Sequence, residues 1–164
     1  AEIYGKVQYY VGVIQIFSTI AMFGLQGYIV KKTQFADSKE GFFTQCLVLS
    51  CMWMVVVFPI YFAVAFYLLA EFGKNIVLIL VVGVVGIIYA VSLLVGSFFL
   101  GNFKAAFSSF FENLLPKLII FICALILIFA LGVIEDFPNI YIVMYGLTYL
   151  AVTSIFIFKL IKKN

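Results

Sequence analysis

IVLILVVGVVGIIYAVSLLVGSF, Ile76 to Phe98, decides the fold: an apolar run without a charged side chain, too long for a strand and of the length a bilayer-crossing helix requires. The surrounding chain has the same character. Apolar residues make up 66% of the 164 positions and charged residues 10%, with a mean hydropathy of +1.26. No ordinary soluble domain could cover that much apolar surface. The sequence therefore predicts an all-α, polytopic membrane helix bundle.

Gaps between charged residues define five apolar windows: Val7 to Val30, Gly41 to Ala70, Asn75 to Phe103, Leu118 to Ile134 and Phe137 to Phe158. The first would be roughly 36 Å long as one helix, enough to cross a core of about 30 Å with some tilt. The second and third are overlong and turn their ends into the interface, and the fourth is short enough to borrow Leu114, Leu115 and Pro116. Spans are thus expected near 7–30, 45–69, 76–98, 115–134 and 139–158. Pro59 removes one backbone donor from the second span and predicts a kink there.

Between the third and fourth spans, Phe99, Phe103, Phe107, Phe110 and Leu114 recur at helical spacing, with Asn102, Lys104, Ser108 and Glu112 opposite. This pattern predicts an interfacial amphipathic segment over 99–114. The lysines set the orientation. Lys31, Lys32, Lys39, Lys104, Lys117, Lys159, Lys162 and Lys163 fall on one side, while Lys6 and Lys74 fall on the other beside the acidic turn EDFPN. By the positive-inside rule the lysine-rich side is cytoplasmic, as is the C-terminal end. The chain opens on Ala1 rather than methionine, which predicts a start further upstream.

The composition also restricts the chemistry. There is no histidine, and no Asp, Glu or Lys lies within the five windows, so neither the commonest general base nor an intramembrane carboxylate site is present in them. Cys46, Cys51 and Cys123 have neither zinc nor redox spacing and read as small hydrophobes. No nucleotide-binding, hydrolase or selectivity-filter motif occurs. An enzyme is not expected, nor a metal, a cofactor or a nucleic-acid partner.

A polar pattern survives in the first window. Gln8, Gln15, Thr19 and Gln26 are separated by 7, 4 and 7 residues, which on one helix keeps them within about 40° of a single meridian. Such groups cannot face lipid unsatisfied. The stripe either bonds to another helix or lines a wet cavity. In the third span Gly83, Gly86, Ala90 and Ser97 share a face, with Ser92 and Gly96 as a second small pair; both point to close helix packing. Tyr141, Tyr145 and Tyr149 near the last span's start read as interfacial anchors.

The opening EIYGKVQYYVGVIQIFSTIAMFGLQGYIVKK resembles the region between the first and second spans of polysaccharide (O-antigen type) flippases, in the multidrug/oligosaccharidyl-lipid/polysaccharide exporter superfamily. The resemblance rests on Glu2, Tyr4 and Gly5, then on Gly24, Leu25 and Lys31. FFLGNFKAAFSSFFENLLPKLIIF is similar to that family's connection between its fourth and fifth spans.

The resemblance implies a piece of the N-terminal lobe, spans two to six, of a larger two-lobe exporter in the bacterial inner membrane. It implies transport of a polyprenyl-pyrophosphate-linked oligosaccharide to the outer leaflet, with membrane lipids and polysaccharide-assembly proteins as further partners. Gln8, Gln15, Thr19, Gln26 and Lys31 are then the substrate-binding candidates. Many members carry arginine where this chain has Lys31 followed by Lys32, and lysine keeps the charge but loses the bidentate fork. Two other readings are a cation-coupled exporter of small molecules from the same superfamily and a non-transporting scaffold subunit.

Overall fold

The computed structural model describes residues 2–68, 72–73, 75–102, 108–110, 114–131 and 137–161. These form six helices: α1 (Glu2–Met22), α2 (Leu25–Lys32), α3 (Lys39–Leu68), α4 (Ile76–Gly101), α5 (Leu115–Leu131) and α6 (Phe137–Ile161). The all-α class expected from the sequence is what forms. α3, α4 and α6 are each long and apolar enough to cross a membrane; α1 and α2 together make a fourth, bent candidate, and α5 is a shorter apolar helix.

Local chemistry sets several helix ends. The Asn75 side chain accepts a hydrogen bond from the Leu78 amide at 3.2 Å and caps α4. The Ser38 hydroxyl does the same for Gly41 at the start of α3. Thr33 closes α2 by donating both its amide (3.0 Å) and its hydroxyl (2.6 Å) to the Ile29 carbonyl. α3 continues through Pro59 as one helix.

Gly101 at the end of α4 lies against Val30 and Thr33 at the end of α2, Phe43 near the start of α3 packs on Phe98, and Leu115 at the start of α5 joins the same cluster, so these helix ends share one end of the bundle. Lys31, Lys32, Lys39 and Lys117 gather there. The interfacial segment expected over 99–114 lies partly outside the described residues; its first residues, Phe99 to Gly101, complete α4.

α4 is the centre of the bundle, packed against α1, α2, α3 and α6, while α5 lies on α6. The small residues explain why. The Gly86 backbone receives the Phe17 ring of α1, and Gly83 sits under Tyr61 and Phe58 of α3. Gly146 of α6 receives the Val85 side chain, and Gly101 lies against the backbone of Val30 in α2. A methyl group at Gly83, Gly86 or Gly146 would overlap its neighbour, and one at Gly101 would press on Thr33 and the Val30 backbone. Close approach of this kind replaces, through dispersion contacts, the hydrophobic drive that lipid does not supply.

Two apolar clusters fill the interior. One surrounds Tyr10, Ile14, Phe17, Tyr61, Ile79 and Tyr145, and the other, nearer the lysines, surrounds Ala21, Ile29, Phe43, Leu94 and Phe98. On α3 the surface outside them stays apolar: Met52, Val55, Ile60 and Tyr67 are all exposed. That is the surface a bilayer solvates.

The tyrosines expected as anchors behave otherwise. Tyr145 and Tyr149 are buried, in ring contact with each other at 4.8 Å and with Tyr89 of α4 at 5.8 and 4.9 Å. The reason is the face they occupy, which α6 turns toward α4.

The glycine contacts make a measurable prediction. Gly86→Val should destabilise the detergent-solubilised protein by about 1–3 kcal/mol through overpacking against Phe17. Gly12→Ala, at a glycine with open space around it, should change stability little. Equal thermal unfolding midpoints for the two variants would refute this account of the packing.

Candidate functional site

The inward face of α1 is built from Val7, Tyr10, Ile14, Phe17, Ser18 and Ala21, all buried against the neighbouring helices. A helix that buries this face must turn the opposite meridian outward. Gln8, Gln15 and Thr19 lie on that outward side and are exposed, next to Gly5 and Gly12, which have open space around them. The stripe therefore does not form a seam with α3, α4 or α6. Its hydrogen bonds run along α1 itself: the Gln8 amide donates to the Tyr4 hydroxyl at 3.1 Å, and the Thr19 hydroxyl donates to the Gln15 carbonyl at 2.8 Å.

The continuous helix expected over 7–30 is interrupted. α1 ends at Met22 and α2 begins at Leu25, with a bend of 56° between them. Phe23 (φ 46°) and Gly24 (φ 73°) both take left-handed backbone conformations. Gly24 adopts this at no steric cost, whereas Phe23 is disfavoured there by about 1–2 kcal/mol. The break displaces Gln26 from the line of the other three, so the four-residue meridian becomes a three-residue stripe and a separate residue. Gln26 is half-buried on α2, and Lys31 and Lys32 are exposed at its end.

The break also interrupts the hydrogen-bond ladder and frees carbonyls at the end of α1. One of these, Ile20, accepts from the Phe23 amide at 3.1 Å and from the indole Nε1–H of Trp53 at 3.2 Å. The Trp53 ring, on α3, lies 4.8 Å from the ring of Phe23. Sequence reasoning overlooked Trp53, although it is the chain's one tryptophan. Gly24, within an apolar run, was the available signal for the break.

Two further features lie away from this face. An apolar groove of about 420 Å³ beside Pro59 is lined by Cys51, Met54, Val55, Phe58 and Ile87. Where α4 crosses α6, a small void is bordered by Ser92, Ser108 and Thr153; the Ser108 hydroxyl donates to the Gly96 carbonyl at 2.9 Å.

The candidate site is thus a strip of uncharged polar side chains on α1, flanked by the exposed Ile16 and Ile20, that is followed after a bend by a lysine-bearing end. Amides and hydroxyls of this kind both donate and accept hydrogen bonds and suit a polyhydroxylated ligand, while the exposed Lys31 and Lys32 attract an anion.

A family model described as Polysaccharide biosynthesis protein matches residues 1–163. No curated protein and no solved structure matches the chain.

If the outward face of α1 is hydrated, single cysteines at Gln15 and Thr19, with the native cysteines replaced by alanine, should react readily with a membrane-impermeant maleimide. A cysteine at the buried Ser18 should react at least tenfold more slowly. Equal protection of all three positions would show that the face is not wet.

Proposed function

Because the chain belongs to the polysaccharide biosynthesis protein family, we propose that it acts as a flippase, moving a lipid-linked oligosaccharide from the cytoplasmic to the outer leaflet of a bacterial inner membrane. The observation that carries this reading is the outward polar face of α1. Gln8, Gln15 and Thr19 lie on the outside of the bundle, where a polar partner satisfies the amide groups that hydrocarbon would leave unpaired.

The proposed route follows from the chemistry of such a substrate. Its polyprenyl tail remains in lipid throughout. The glycan is what must be screened from hydrocarbon, and a line of neutral amides can exchange hydrogen bonds with successive hydroxyls without trapping any of them. An ionised side chain in the same place would cost about 2.5–3.5 kcal/mol on insertion and would hold a pyrophosphate too firmly to release it. Cations belong at the entrance instead, where Lys31 and Lys32 stay hydrated and attract the pyrophosphate as point charges. The lysine-rich end is the cytoplasmic one in this reading.

The scaffold alternative has less support. Its adhesive surface would be the small-residue face of α4, but Gly83, Gly86 and Gly101 are already occupied by α3, α1 and α2. A cation-coupled small-molecule exporter gains no specific support from the described residues.

Gln15→Leu and Lys31→Ala should each lower the rate of glycan flipping about tenfold, measured as lipid-linked glycan retained on the cytoplasmic leaflet. Lys31→Arg should retain activity. Unchanged surface polysaccharide after deletion, in a strain with no redundant exporter, would refute the flippase assignment.

A further inference from the structure

The polar face of α1 and the lysines of α2 lie on either side of the break, so their mutual geometry depends on what holds the bend. Two anchors hold it. Along its whole length, from Leu25 beside the break, α2 docks on α4: Leu25 and Ile29 are buried, and Val30 and Thr33 pack on Gly101. At the break itself Phe23 is 72% exposed and Gly24 has open space around it. Trp53 of α3 reaches into this gap, holding the Ile20 carbonyl with its indole N–H and the Phe23 ring with its own.

A continuous helix through this stretch would satisfy the same carbonyl internally and would need no indole. The bent form rests on a residue that tolerates a left-handed backbone and on a second donor, beside the Phe23 amide, to the Ile20 carbonyl. Gly24 supplies the first and Trp53 the second.

The geometry points to Trp53 as a positioning residue: by latching the Phe23–Gly24 break it sets the angle at which α2 presents Gln26 and Lys31 to the polar face of α1. This rests on the flippase reading for its functional consequence, though not for the latch. Loss of the latch moves the equilibrium toward a straighter α1–α2, in which the lysines lie further from Gln15 along the helix. Trp53 touches no substrate in this account and acts only through the bend.

The test uses the full-length protein in proteoliposomes, with spin labels at Ile16 and Lys32, both exposed, and the native cysteines replaced by alanine. Straightening a 56° bend between these positions lengthens the backbone separation by roughly 3 Å at the helical rise per residue. Trp53→Phe keeps a ring for Phe23 but removes the donor, and Gly24→Ala disfavours the left-handed backbone without altering any α3 side chain. Both should shift the distance distribution to longer values, and both should lower the flipping rate at least fivefold with normal membrane abundance.

If both variants keep the parent distribution, the latch does not exist. If Trp53→Phe does not fold, Gly24→Ala decides alone, and an unchanged distance there overturns the proposal. A shifted distance with unaltered flipping overturns the positioning role. Flipping is assayed on unlabelled protein with Lys32 intact, and the distance measurement needs no substrate, so an unlabelled parent that flips nothing defeats the flippase reading while leaving the latch legible.

Discussion

The contact on which the bundle depends is the ring of Phe17 against the bare backbone of Gly86. In lipid, helices gain nothing by hiding apolar surface from their surroundings, and what remains is close packing and a few hydrogen bonds. α4 meets that condition on several sides at once, with Gly83 under Tyr61 and Phe58, Gly86 under Phe17, and Gly101 against Val30. Each partner helix is drawn in by a side chain or backbone segment that fits where a Cβ is missing. The rest of the fold is arranged around this helix, including which way α1 faces.

That orientation has a direct consequence for the polar stripe. Once Phe17 and Ile14 are committed inward, Gln8, Gln15 and Thr19 are carried outward by helical geometry alone. The packing that stabilises the unit is thus the same packing that presents its polar face. Stability and the candidate site sit on opposite sides of one helix, so substitutions on the two faces separate structural from functional effects.

The bend at Phe23–Gly24 adds a second constraint, imposed by the backbone rather than by side-chain volume. Broken spans are tolerated where the freed backbone groups find partners, and here a single indole on a neighbouring helix supplies one. The break divides the first apolar window into a helix that carries amides and a shorter helix that carries cations.

By itself the sequence determined the class of the protein and the contents of its spans. Uncharged runs such as Ile76–Phe98 can only be solvated by lipid or by one another, and the glycine spacing in that run already marked it as a packing helix. The pattern Gln8, Gln15, Thr19 was legible for the same reason, because it needs only the helical repeat. Tertiary structure alone decided which way each face points. The spacing that made Tyr145 and Tyr149 resemble anchors is the same whether α6 turns that face to the interface or, as it does, to Tyr89. It also decided that the first window breaks, since a left-handed Phe23 is unfavourable locally and is held by a carbonyl bond and a ring contact from Trp53, 30 residues further along the chain. Local periodicity carries no information about a partner at that distance, and the angle between the amide face and the lysines depends on that partner and on the docking of α2 against α4.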